Sequence, residues 1–240
     1  MSLPALSIVI PAYNEAERLP PTLARIREYV GGHRLDCEIV VADDGSRDAT
    51  AERAREAGGP GVVVLTGGPN RGKGHAARRG MLAARGARRL MTDADLSTPI
   101  EELERLAARM DEGFDVVIAS RALPGAQIEV HQPFFREAAG RSFNRLVRLL
   151  AVPGIEDTQC GFKLFTAAAA ETAFGPARLD GFSFDVEALF IARKRGLSIA
   201  ELPVRWRNDA ATRVSAWRGA AAFADLFRIR ANDARGFYSL

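Results

Sequence analysis

Two aspartates one residue apart, Asp93 and Asp95 in the run MTDADLS, follow a short apolar stretch. At the end of a strand, side chains at i and i+2 point the same way, so this spacing aims both carboxylates at one place. Carboxylate oxygens, completed by phosphate oxygens and water, suit Mg²⁺ or Mn²⁺. The bland alternative is a pair of solvated turn residues. A second stretch, TGGPNRGKGHAARRG at 66–80, sets Gly67 and Gly72-Lys73 at the spacing that opens a P-loop. That loop next needs a Ser or Thr hydroxyl to hold Mg²⁺, and Gly74 stands there instead. The segment is either a damaged P-loop or a Gly-rich turn serving another phosphate ligand. Its match to a dinucleotide fingerprint is equally poor. Three scattered histidines and the absence of C-x-x-C leave little for a zinc site, and Cys37 and Cys160 suggest no disulfide framework.

The elements that must position these residues alternate regularly in the first half. Apolar runs at 6–12, 37–42, 62–65, 89–92 and 115–120 read as strands. Helical spacing at 17–30, 48–57, 74–85 and 99–110 separates them, with Ser46 or Asp48 as a cap for the second helix. Short buried strands alternating with helices imply right-handed βαβ units and a mostly parallel central sheet flanked by helices, an α/β fold. Ligands of such sheets bind beyond the carboxyl ends of the strands. There the chain reads PAYNE, DDGS, NRGKG, DAD and SR in turn, so five polar loops converge on one crevice. In the second half, 134–150 reads as a helix, 157–165 as a strand, 184–196 as a helix and 199–206 as a strand. The amphipathic pattern at 216–232 puts Trp217, Phe223 and Phe227 on the face expected to pack on the core. No repeat or linker interrupts the chain, which implies a single domain over 1–240.

The 240 residues are 47% hydrophobic, enough for one large core, and the charged fraction of 26% argues against disorder. Net charge is only +3, and no long basic run or nucleic-acid motif occurs, so nucleic acid is not an expected partner. The start enters ALSIVIPA, a strand rather than a leader peptide, and no apolar stretch approaches the length of a membrane span. A cytoplasmic protein is expected, with peripheral contact at the cytoplasmic membrane face open to it.

PAYNE, DDGSRDAT, NRGKGHAARRG and DADLS, in that order, resemble the motifs of family 2 glycosyltransferases with the GT-A fold. REAAGRSFN, DTQCGFKLF and FDVE are similar to its polyprenyl-phosphate branch, and the likeness runs from residue 6 to about 217. The resemblance implies an inverting, metal-dependent transferase that moves a hexose to a polyprenyl or dolichyl phosphate. Glucose from UDP-glucose is the foremost donor. GDP-mannose and a soluble hydroxyl acceptor are the alternatives.

It implies that Asp93 and Asp95 hold the metal, with Asp93 near the ribose, and that Asp95, Arg121 and Asp157 serve catalysis, Asp157 as the base if one is needed. Pro11, Tyr13 and Glu15 would floor the base pocket, Tyr13 either stacking or packing. One of Asp43 and Asp44 would meet the base or ribose while the other closes a turn. Gly72 would bring backbone close to the nucleotide, with Lys73 a cation at the rim. Arg121, Arg136, Arg141 and Lys163, with Asn144 beside them, would bind the acceptor phosphate. Gln159, Asp185 and Glu187 would face the sugar. Arg145 and Arg148 read as a solvated helix face.

Overall fold

The computed structural model describes residues 3–130, 147, 151–207 and 216–239; the side chains of Val130 and of 216–222 are outside that description. The chain runs β1 (Leu6–Ala12), α1 (Leu19–Gly32), β2 (Cys37–Asp43), α2 (Thr50–Gly58), β3 (Val62–Leu65), α3 (Lys73–Ala83), β4 (Arg88–Met91), α4 (Glu102–Asp111) and β5 (Val116–Ser120). It continues through β6 (Gln127–Val130), β7 (Lys163–Thr166), α5 (Ala167–Phe174), α6 (Phe184–Lys194), β8 (Ile199–Pro203), β9 (Arg205–Arg207) and α7 (Ala216–Ala234). Seven strands form one sheet in the order β3-β2-β1-β4-β7-β5-β8, and β6 pairs with β9 in a small second sheet.

Every residue of β1 is buried, because both faces of the sheet are covered. Ile8 and Ile10 pack with Leu19, Leu23 and Ile26 of α1 and Leu103 and Leu106 of α4. Val9 points the other way, into the layer of α3, α5 and α6 around Met81, Phe174, Val186 and Leu189. β1 pairs in parallel with β2 on one side and with β4 on the other. That reversal of strand order opens a crevice beyond the carboxyl ends of β1 and β4, the usual ligand position in open α/β sheets.

One strand breaks the parallel pattern in a way that builds the site. β7 runs antiparallel between β4 and β5, with Lys163 opposite both Met91 and Ile118. Its start therefore lies at the carboxyl ends of its neighbours. The preceding loop, 157–162, is delivered to the same edge as Asp93 and Arg121.

The structure corrects several sequence expectations. Only Lys163–Thr166 of the segment expected as a strand at 157–165 is extended. The segment at 199–206 divides between two sheets, β8 in the large one and β9 in the small one. β6 and α5 had no sequence expectation; α5 follows β7 directly and is capped by Thr166, whose side chain accepts from Ala169 N. In α7 the inward residues are Asp225, Leu226 and Ile229, while Phe223 and Phe227 are exposed. Two residues of the expected core face, Phe223 and Phe227, are thus turned outward; the side chain of Trp217 lies outside the described residues.

Candidate active site

Asp93 sits two residues beyond β4, and Asp95 follows it in a turn, not in extended chain. Leu96 N donates to Asp93 O at 3.3 Å, and Leu96 takes left-handed backbone with φ 47°. Thr22 Oγ1 of α1 holds the turn by donating to Ala94 O at 2.6 Å. The two carboxylates thus share a turn instead of alternating along a strand, but they remain close enough to act on each other. Burial and the charge of Asp93 push the Asp95 carboxyl above its usual range. Burial also opposes the charge of Asp93, yet Lys73, Lys163 and Arg121 hold its carboxyl below the usual range.

Lys73 opens α3, and its Nζ donates to Asp93 Oδ1 at 2.6 Å. Burial works against the Lys73 charge, but Asp93, Asp185 and Asp95 outweigh it and raise its pKa. Asp95 Oδ1 accepts from Ser97 N at 2.9 Å. Among the described residues, Oδ2 of Asp93 and Oδ2 of Asp95 accept nothing. Neither is a sealed orphan, so both reach solvent. Gly161 makes the space: a Cβ there would stand 2.1 Å from Asp93 Oδ2. Asp185, at the start of α6, accepts from Lys163 Nζ at 2.7 Å on Oδ1. Burial raises its pKa against the pull of Lys163 and Lys73.

Asp157 is built in the opposite way. Arg121 grips it with Nε to Oδ2 at 2.7 Å and Nη2 to Oδ1 at 2.9 Å, and the Arg121 backbone N–H adds a third bond at 3.0 Å. Gln159 N and Cys160 N donate to Oδ1 at 3.1 and 3.2 Å. Glu201 of β8 fixes the loop by accepting from Asp157 N at 2.8 Å and Glu156 N at 2.9 Å. Asp157 is 1% exposed. Against the cost of burial, Arg121 holds its carboxyl down at about 2. A base must collect a proton near working pH, so Asp157 is not one; it anchors Arg121. Arg121 also stacks over the Trp206 ring at 5.3 Å, and its Nη1 makes no hydrogen bond among the described residues.

Two further expectations are corrected. Lys163 is 1% exposed and held by Asp185 and the carbonyl of Cys160, so it supports the site from below and is not presented to an acceptor. Glu187 is fully buried; its Oε2 accepts from Arg178 N at 2.9 Å and Leu179 N at 2.8 Å, and Oε1 takes the Tyr238 hydroxyl. It organises the protein interior and does not face a sugar. Gly72 (φ 127°) brings backbone close to protein, since a Cβ there would stand 2.3 Å from Asp180 O.

The rest of the Gly-rich loop follows the same rule. Gly74 N donates to Asp180 O at 2.8 Å and His75 N at 3.3 Å. Asp44 Oδ2 accepts from Asn70 Nδ2 and Arg71 N at 2.9 Å and from Gly72 N at 2.6 Å, and Oδ1 meets His75 Nδ1 at 2.9 Å. The amides that a P-loop would offer to phosphate are already used. Asp43 closes the turn through Ser46 N at 3.3 Å. Arg71 and Arg78 both grip the Asp180 carboxylate, each at 2.7 Å.

Pro11 is buried under the loop after β1, Tyr13 is 38% exposed at its tip, and Glu15 is half-buried near Arg18. Gln159 is partly exposed beside Asp157. Arg136, Arg141 and Asn144, with Arg145 and Arg148, lie outside the described residues.

The partners missed by sequence reading are Gly161, Asp180, Glu201, His75 and Trp206. Only Gly161 carried a signal: a glycine inside the stretch expected as a strand at 157–165 marks a close approach, here that of the Asp93 carboxylate.

A glycosyl transferase family 2 model matches residues 7–170. The chain belongs to glycosyltransferase family 2. It is 35% identical over 251 residues to human dolichyl-phosphate beta-glucosyltransferase, covering 98% of this chain and 78% of that protein. The dolichyl-phosphate beta-glucosyltransferase of Drosophila melanogaster is 37% identical over 242 residues, with 93% and 74% covered. Among solved structures, mannosyl-3-phosphoglycerate synthase from Rubrobacter xylanophilus superposes with a TM-score of 0.73 at 20% identity, over 97% of this chain and 76% of that one. Glucosyl-3-phosphoglycerate synthase from Mycobacterium tuberculosis, crystallised with Mn²⁺, UDP-glucose and phosphoglyceric acid, gives 0.70 at 20% identity, over 94% and 79%. This glycosyltransferase therefore has the GT-A fold, with its open carboxylates at the end of β4.

Proposed function

We propose that this glycosyltransferase is an inverting, metal-dependent enzyme that moves glucose from UDP-glucose to a polyprenyl phosphate such as dolichyl phosphate. The observation that carries the reading is the set of open carboxylate oxygens on Asp93 and Asp95, beside Lys73, at the crevice of the sheet. The names of the curated relatives supply the glucosyl group and the dolichyl-phosphate acceptor, and UDP-glucose is the donor bound in a solved structure of the same fold. Residues 1–240 are read as one catalytic domain.

The donor set fits a divalent cation. Two carboxylates each keep an oxygen open, and burial, then the charge of Asp93, raises Asp95. Among the described residues no group of three or more His, Cys, Asp or Glu could hold a metal. Asp93 and Asp95 would therefore share Mg²⁺ or Mn²⁺ with the donor diphosphate and water. When bound, such an ion stabilises the charge that develops on the leaving β-phosphate.

The chain's own residues do the positioning. Lys73 fixes Asp93 and adds a cation beside the diphosphate. Arg121, locked by Asp157, keeps Nη1 free for the acceptor phosphate; a guanidinium fork suits that group. A phosphate monoester, with a second pKa of about 6, arrives mostly ionised and needs no base, in keeping with the sealed state of Asp157. Attack on the side opposite the leaving diphosphate turns an α-linked donor into a β-linked product.

No helix among the described residues is long and apolar enough to cross a membrane. The reading has the enzyme meeting its acceptor at the cytoplasmic surface of a bilayer.

The test is product analysis by mass spectrometry and NMR, with UDP-glucose, Mn²⁺ and a polyprenyl phosphate. A β-linked glucosyl phospholipid is expected. Preference for GDP-mannose, or transfer only to a soluble hydroxyl acceptor, would overturn the reading.

A further inference from the structure

The exposed phenylalanines among the described residues are Phe182, Phe223, Phe227 and Phe237, with 38, 40, 65 and 38% of their surface in solvent. They belong to the segment before α6, to α7 and to the turn after it. Phe223 and Phe227 are one helical turn apart on the outer face of α7, where they forgo the roughly 1.5–3 kcal/mol that burying a phenylalanine can give. Leu226 and Ile229 already give the helix its core face, beside Asp225, so these two rings are large apolar groups left on the solvent side, and their exposure asks what covers them.

The charges around it favour one occupant. Arg193, Lys194 and Arg230, with Asp233, line a surface groove of about 320 Å³ against Phe190. Lys194 is paired with Asp233, while Arg193 has no ion pair among the described residues and Arg230 lies over the Phe190 ring at 5.8 Å. Arg228 is 70% exposed, although it pairs with Asp225 at 3.2 Å. The Arg178 guanidinium covers Phe237 at 3.7 Å. Asp233 and the inward Asp225 are thus already paired, Arg178 covers Phe237, and Arg228 and Arg230 follow Phe227 along α7. A second copy would set arginine against arginine. A helix that presents large apolar rings and Arg together suits an anionic bilayer interface, where the rings enter the headgroup region and the cations meet lipid phosphates.

The location also fits. A Cβ on Gly181 would stand 3.9 Å from the Asp225 carboxylate, and the adjoining Asp180 carbonyl caps α3 at Gly74, next to Lys73. Through its buried Asp225, α7 therefore packs on the segment that borders the crevice.

We propose that the outer face of α7, through Phe223, Phe227, Arg228 and Arg230, together with Arg193 of α6 and Phe237 of the turn after α7, seats the protein on an anionic lipid surface. Its use in delivering a lipid acceptor rests on the function proposed above; the binding itself does not.

The test is co-sedimentation of the full chain with vesicles of phosphatidylcholine alone or with 30% phosphatidylglycerol, neither containing polyprenyl phosphate. Binding to the anionic vesicles is expected, at least roughly tenfold above the neutral ones and weakened by salt. Phe227→Ser and the pair Arg193→Glu/Arg230→Glu should each lower it roughly tenfold or more, with thermal melting unchanged. Phe227→Ser should leave transfer to a short, water-soluble prenyl phosphate intact and slow transfer to a long acceptor held in vesicles. Native binding that ignores these substitutions, equal binding to neutral vesicles, or no binding at all would overturn the proposal. So would a dimer in vesicle-free sedimentation that Phe227→Ser dissolves, because a second copy would then cover the face. Vesicle binding without any transfer to polyprenyl phosphate would instead count against the lipid-acceptor reading alone.

Discussion

The turn after β4 and the loop before β7 both bring aspartates to the same edge of the sheet, and they treat them in opposite ways. At the turn, Asp93 and Asp95 accept one hydrogen bond each and keep an oxygen open. In the loop, Asp157 accepts five N–H groups, three of them from Arg121. The outcome appears in their acidities: Asp95 is raised and Asp157 is depressed to about 2. Residue type and position at a strand end are therefore not enough to make a reactive carboxylate. What decides is how many donors the surrounding backbone and cations supply. A carboxylate with few donors has an appetite for a cation, whereas a saturated one becomes a fixed anchor for its partner.

The largest expected effect comes from unlocking the anchor. Asp157→Ala leaves Arg121 with a poorly compensated charge, and losing one partner of a buried pair costs about 3 kcal/mol or more. Urea unfolding of the variant should show that loss. A cost under 1 kcal/mol would mean that Asp157 is not the anchor described here.

A smaller effect sharpens the same contrast by pH. Asp157 has a folded pKa of about 2 against an ordinary 3.8. Because the folded value is depressed, its stabilisation is fully present above about pH 4 and is lost as pH falls toward 2. At about 1.4 kcal/mol per pH unit, that is about 2.5 kcal/mol. Acid titration of stability should show this loss in the native chain and not in Asp157→Asn. Parallel curves for the two proteins would break the comparison.

The sheet was legible in the sequence because strands buried on both faces read as near-continuous apolar runs, as in SIVIPA and EIVVA. Asp93 and Asp95 were legible as a pair, although the turn that joins them was not. The seal on Asp157 was hidden because it needs β7 to run antiparallel, which no local pattern states. Glu187 was readable in principle: in a helix, Asp185 and Glu187 are two residues apart and do not share a face. The loop at 66–80 was ambiguous because glycines that admit a phosphate and glycines that admit the Asp180 carbonyl look alike in sequence. In α7 the helical period was right, but period alone does not say which face turns inward, and Leu226 and Ile229 took the core in place of Phe223 and Phe227.

Calorimetry of UDP binding, with and without Mn²⁺, tests the central claim that the open carboxylates of Asp93 and Asp95 form the donor's metal site. The native protein should bind UDP at least tenfold more tightly with Mn²⁺ than in EDTA. Asp95→Asn should lose that gain and keep the EDTA affinity. UDP affinity that is the same with and without the ion in the native protein, or a full Mn²⁺ effect surviving in Asp95→Asn, would contradict it.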